Sequence, residues 1–177
     1  MRVGLHDAEK EYMKHKTFPN YALMKISAYH KARGDSVEWW SPIFGLYREY
    51  DVIYSSKVFD FTPENPYLPP TAIRGGSGYA DIPPEQQLPP EIETAFPDYS
   101  IYPECDYAIG YLTRGCPNHC RWCGVPAKEG PIKPYRTWEQ IVRPDSKKLV
   151  LMDNNILACE HGISQLERLT GSGYAID

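Results

Sequence analysis

The stretch that most constrains this chain is Cys116-Pro-Asn-His-Cys120-Arg-Trp-Cys123, which puts three of the five cysteines inside eight residues. The apolar run Tyr107-Ala108-Ile109-Gly110-Tyr111-Leu112 comes just before it, and such a run reads as a buried strand. A tight loop at the end of a strand can turn three thiolates toward one point. Thiolates are soft ligands that select zinc, copper(I) or iron–sulfur clusters over hard cations. A structural zinc site normally takes four ligands, often as two Cys-x2-Cys-like pairs. Here there is one triplet, with His119, Cys105, Cys159 and His161 as the available fourth donors. A disulfide leaves an odd thiol, and nothing in the chain suggests an oxidising compartment. A [4Fe–4S] cluster held by three cysteines leaves one iron open to a ligand that is not protein. Spacing alone leaves zinc and iron both open.

Composition narrows the setting. The 177 residues suffice for one good core or two small domains. A formal net charge of −4 writes no attraction to nucleic acid or to an anionic membrane into the total. No apolar run approaches the ~20 residues of a membrane span, and the first residues, Met1-Arg2-Val3-Gly4-Leu5-His6-Asp7, carry no signal-peptide core. The expectation is a soluble protein of the reducing cytoplasm.

Periodicity then lays out the elements. Arg2 to Leu5 reads as a strand, and a helix starting near Pro19-Asn20 carries Leu23, Ile26 and Tyr29/His30 at helical spacing, stopping at Gly34. Ser36 to Trp40, Asp51 to Tyr54 and Thr71 to Arg74 read as further strands, which together make a βαβ layer. Gly75-Gly76-Ser77-Gly78 reads as a turn after a strand, since it lacks both the P-loop ending and the dinucleotide spacing. Ten prolines fall between Thr62 and Pro103, and proline cannot donate to a helix or central strand. Residues 81–104 are therefore expected to run as an extended surface linker, with Tyr79, Tyr99, Tyr102 and Tyr107 packing it onto the domains. Thr137-Trp138-Glu139-Gln140 is a capping-box pattern opening a short helix. Leu149 to Met152 reads as a strand buried on both faces and ends in Asp153-Asn154-Asn155. A helix with Ile163, Leu166 and Leu169 on one face stops at Gly171, and Tyr174 to Ile176 begins a third strand.

The cysteine octapeptide, with Trp122 just before its last cysteine, resembles the cluster motif of the radical S-adenosylmethionine enzymes. Its place after an apolar strand is similar to the loop after the first strand of that family's α/β barrel. The resemblance implies that Cys116, Cys120 and Cys123 bind three irons of a [4Fe–4S] cluster. The amino and carboxylate groups of S-adenosylmethionine would chelate the fourth. It further implies an external electron donor of flavodoxin or ferredoxin type, and Trp122, Asp153 and Asn154 as cofactor-binding residues. Asp153-Asn154-Asn155 stands where the family often carries a Gly-Gly-Glu motif for the amino group of S-adenosylmethionine, so the match is by position and not by identity. The competing reading is that these residues turn the chain and cap the next helix. Arg114 and Arg121 flank the loop, either offsetting cluster charge or simply solvated.

The first eighty residues resemble the cobalamin-binding domain that many enzymes of this family carry. The Asp-x-His-x-x-Gly ligand motif is absent: His6-Asp7 has the residues in reverse order, and neither His15 nor His30 is followed by glycine three residues later. Only histidine-independent binding of cobalamin is left.

The expected fold is α/β. A small Rossmann-like, cobalamin-binding-like parallel-sheet domain (1–80) and a proline-rich linker (81–104) lead into the first strands of a partial (β/α) radical S-adenosylmethionine barrel (105–177). Only two βα units and the start of a third are present, so the expectation is a fragment, or an oligomer or second polypeptide that completes the barrel. The functional expectation is reductive cleavage of S-adenosylmethionine to a 5′-deoxyadenosyl radical, with the substrate unread. The alternative is a non-enzymatic zinc- or cluster-binding module serving structure or electron transfer.

Overall fold

The computed structural model describes residues 1–13, 18–83 and 86–177, and the chain divides into two compact units, Met1–Pro103 and Glu104–Asp177. His15 and residues 84 and 85 of the expected linker lie outside the described residues.

The first unit begins with β1 (Arg2–Asp7), buried from Val3 onward. It turns into the short helix α1 (Ala8–Tyr12), whose N-cap Asp7 accepts from the Lys10 amide. Helix α2 (Tyr21–Ala32) starts where Asn20 Oδ1 accepts the Leu23 amide at 3.2 Å. It ends before Gly34, whose φ of +81° is the left-handed geometry glycine supplies at a helix end. β2 (Ser36–Trp39) follows, then the single turn α3 (Pro42–Gly45), β3 (Val52–Ser56) and β4 (Ile73–Gly75). All neighbours are parallel and the order is β2-β1-β3-β4, so the chain reverses its direction of travel across the sheet between β1 and β3. This is a Rossmann-like order, and the strands fall within two residues of where periodicity puts them.

The proline-rich segment departs from expectation. It forms a further turn of helix, α4 (Pro90–Glu93), with Ile92 4% exposed, and Tyr102, expected to pack the segment, is 3% exposed. Ile92 joins Val3, Leu5, Leu23 and Ile26 in one core cluster, with Leu88 and Ile101 packed against it. Glu93 pairs with the buried Lys25 at 3.0 Å, and the Tyr102 hydroxyl donates to Asp7 at 2.6 Å. Residues 88–102 thus complete the first unit. Proline forbids long regular elements but not burial of the side chains between prolines.

The second unit carries β5 (Ala108–Gly110), fully buried, and β6 (Thr113–Arg114), which pairs antiparallel with β7 (Lys133–Pro134). Between β6 and β7 lie the cysteine loop and the short helix α5 (Val125–Glu129). β8 (Lys148–Leu151) runs parallel to β5, α6 (Glu160–Thr170) follows, and β9 (Ala175–Ile176) pairs parallel with β8, giving the order β5-β8-β9. Ala108, Leu112, Ile141, Leu149 and Leu169 form the core.

Three expectations are adjusted here. The capping-box segment makes only the 3₁₀ turn Trp138–Gln140, although the Gln140 side chain does reach back to the Thr137 amide at 2.9 Å. Of the expected strand Leu149 to Met152 only Leu149 is fully buried, and Val150, Leu151 and Met152 are half-buried. On α6 the buried line is Gly162, Gln165 and Leu169, while Ile163 is exposed. Gly162 is there for contact: a Cβ would sit 2.4 Å from the Ile156 carbonyl oxygen. Gln165 faces inward because its Oε1 accepts the Trp138 amide at 3.0 Å.

Candidate metal centre

The cysteine loop is held at its neck by two glycines. Gly115 has φ +82°, and a Cβ there would meet the Pro131 carbonyl oxygen at 2.3 Å; Gly130 has φ +74°. The Cys116 amide donates to the Gly130 carbonyl at 3.3 Å, closing the neck, and the Cys123 amide donates to the Cys120 carbonyl at 3.0 Å, making a turn at the tip. Cys116 is half-buried, whereas Cys120 and Cys123 are exposed. Trp122 is 89% exposed.

The residues after β8 reach across to this loop in register. The Asp153 carboxylate accepts the amides of Leu112 and Thr113 and the Thr113 hydroxyl, the last at 2.6 Å. Asn154 Nδ2 donates to Glu129 at 3.2 Å. The same Glu129 oxygen accepts the Gly115 amide at 2.9 Å and pairs with Arg114 Nε at 3.2 Å. Asn155 Nδ2 lies 3.8 Å from Cys116 Sγ, within reach of an N–H···S hydrogen bond. Asp153 and Asn155 therefore reach Leu112, Thr113 and Cys116 directly, and Asn154 reaches Arg114 and Gly115 through Glu129. The ammonium-binding role read from the position of Asp153 meets a carboxylate already engaged by backbone donors, and Asn154 is likewise turned to Glu129.

No sequence motif marks Glu129. It is 8% exposed at its side chain and is the common acceptor for the loop neck. Arg114 is not a solvated loop arginine either. Its guanidinium lies 4.1 Å from the Tyr111 ring centroid as well as against Glu129, a cation–π contact. Burial raises the Tyr111 hydroxyl pKa above the ordinary phenol range.

The alternative fourth donors are placed elsewhere. Cys105 is 3% exposed at the start of β5, the opposite end from the loop; burial pushes its thiol up, and it donates to the Tyr107 carbonyl at 3.3 Å. His161 Nε2 hydrogen-bonds the Arg136 carbonyl at 2.9 Å. Cys159 is half-buried ahead of α6, and His119 is exposed in the loop.

In the first unit His6 and His30, two of the histidines considered for cobalamin, have both ring nitrogens engaged. His6 meets Ser55 and Glu11 at 2.7 and 2.8 Å, and His30 meets Asp35 and Tyr54 at 2.7 and 3.2 Å. The Gly75–Gly78 turn is packed against its own sheet: a Cβ on Gly76 would sit 2.2 Å from the Lys57 carbonyl oxygen.

The donor set fits a three-thiolate group in kind: three free thiols on one loop, reached from the carboxyl end of a buried parallel strand. It is not yet gathered. Among the described residues no group of three or more His, Cys, Asp and Glu side chains is assembled to hold a metal ion. Metal binding at a site that is not preassembled is coupled to local folding. Among the described residues no helix is long and apolar enough to cross a membrane. Comparison with protein-family models, curated proteins and solved structures finds no match.

Proposed function

We propose that this chain is an iron–sulfur protein of the radical S-adenosylmethionine type, working in a reducing cytoplasm with an electron donor of flavodoxin or ferredoxin kind. Carrying the reading is the Cys116-x3-Cys120-x2-Cys123 spacing with Trp122, on a loop fastened at the carboxyl edge of a parallel sheet. Ligand groups belong at that edge in α/β architectures. When bound, the [4Fe–4S] cluster and S-adenosylmethionine supply one-electron reductive cleavage of the sulfonium bond, giving methionine and a 5′-deoxyadenosyl radical.

The chain's own part is to hold and shape. Cys116, Cys120 and Cys123 each take one iron, and three ligands for four irons leave a corner for a small molecule. Trp122, exposed beside the last ligand, offers an aromatic face to S-adenosylmethionine. Asp153 and Asn154 keep the loop entrance in place and present it at the edge of β8. A barrel built on the β5-β8-β9 sheet belongs to the same reading.

The test is anaerobic reconstitution followed by reduction in the presence of S-adenosylmethionine. The expected product is 5′-deoxyadenosine, and Cys120→Ala is expected to lose the cluster. Full iron content in Cys120→Ala contradicts the ligand assignment. One tightly held zinc per chain without iron favours the non-enzymatic alternative.

A further inference from the structure

We infer that Asn155 tunes the reduction potential of the metal group through the Cys116 sulfur. This inference rests on the cluster reading proposed above. Asparagine after a strand is ordinarily explained as a cap for the next helical turn. That explanation fails here: the 3₁₀ turn Ile156–Ala158 starts at Asn155 with no side-chain cap hydrogen bond. The side-chain amide instead points Nδ2 at Cys116 Sγ, 3.8 Å away.

The placement is held from both sides. The Asn155 carbonyl accepts the Ala158 amide at 3.1 Å. On the other side, Asp153 and Asn154 are tied to Thr113 and Glu129. The Ile156 carbonyl that follows lies directly beneath Gly162, where any side chain would collide. Asn155 thus has a fixed base from which to address one sulfur, and that sulfur is the half-buried one of the three. Solvent screens a dipole least at such a position.

An N–H directed at a metal-bound sulfur stabilises negative charge gathering there. One-electron reduction adds that charge, so the donor raises the potential, and its removal lowers it. Replacing the donor by a carboxylate places negative charge beside the sulfur and lowers the potential further.

The experiment is EPR-monitored potentiometry of the full chain, reconstituted anaerobically with iron and sulfide, for wild type, Asn155→Leu and Asn155→Asp. Equal iron content is expected in all three. The midpoint is expected to shift negative in Asn155→Leu and further negative in Asn155→Asp. Should Asn155→Leu fail to load, the near-isosteric Asn155→Asp alone decides, by a negative shift or none. Loaded variants whose midpoints coincide with wild type overturn the role of Asn155 and leave the cluster reading standing. A wild-type chain that takes up no iron overturns the cluster reading and this inference together.

Discussion

The Asp153 carboxylate at the end of β8 accepts the Thr113 hydroxyl at 2.6 Å, and the Thr113 and Leu112 amides besides, so one strand's end holds the exit of its neighbour. These donors would otherwise be buried orphans, since Leu112 and Thr113 are both fully buried. Asp153→Ala is expected to cost about 3 kcal/mol, the scale of lost hydrogen bonds to a charged acceptor. Asp153→Asn, which keeps one acceptor oxygen, is expected to cost less. Hydrogen exchange at the Leu112 and Thr113 amides checks this. Unchanged protection in Asp153→Ala contradicts it.

Gly115→Ala isolates the neck of the cysteine loop. The positive φ alone costs about 1–2 kcal/mol for a residue with a Cβ, and the Pro131 carbonyl adds a steric collision at 2.3 Å. Iron uptake is expected to fall sharply while the melting of the first unit is unchanged. Iron content equal to wild type would show that the neck geometry is dispensable.

Ile92→Ala tests whether residues 88–102 belong to the first unit. Ile92 is 4% exposed within the cluster of Val3, Leu5, Leu23 and Ile26, and truncation of such a side chain costs roughly 2–4 kcal/mol. Denaturant titration reads the loss directly. A cost near zero would return this segment to the role of a surface linker.

Asp98 gives a pH-dependent version of the same test. Burial raises its pKa, but hydrogen bonds from Lys31, Ser27 and Ser100 outweigh that and leave it below the ordinary value. A carboxylate with a depressed folded pKa stabilises above its unfolded pKa, about 3.9. That stability is lost as pH falls through the folded value. Wild type is therefore expected to exceed Asp98→Asn in stability at neutral pH, with the gap shrinking below about pH 4. A gap that persists unchanged into strong acid contradicts the assignment.

Much of the sheet framework was legible because its signals are local. The helix start near Asn20, the left-handed Gly34 and the apolar runs each depend on residues close in the chain. What escaped depends on partners far along the chain. Ile92 is a single apolar side chain among prolines, and only the core cluster gives it an inside. A helical wheel picks Ile163 for the buried face of α6, yet Gly162 lies there because it has no side chain. The three cysteines announce themselves by spacing. The fastening of their loop through Glu129 and Asn155 does not, since a lone glutamate or asparagine has no signature of its acceptor or donor.

The loop also provides a direct optical probe. Trp122 is 89% exposed, and closing Cys120 and Cys123 around a metal carries it along. The fluorescence difference between wild type and Trp122→Phe is expected to be quenched on iron loading. An unchanged difference spectrum would mean that the tip of the loop does not take part.

Anaerobic metal analysis joined to EPR of the reduced protein, with and without S-adenosylmethionine, bears most directly on the central claim. Four irons and four sulfides per chain are the stoichiometry of a [4Fe–4S] cluster. The account predicts that stoichiometry and a reduced-cluster spectrum that changes when S-adenosylmethionine is added. A redox-silent ion bound by all three thiols together with a fourth protein ligand, and indifferent to S-adenosylmethionine, would contradict it.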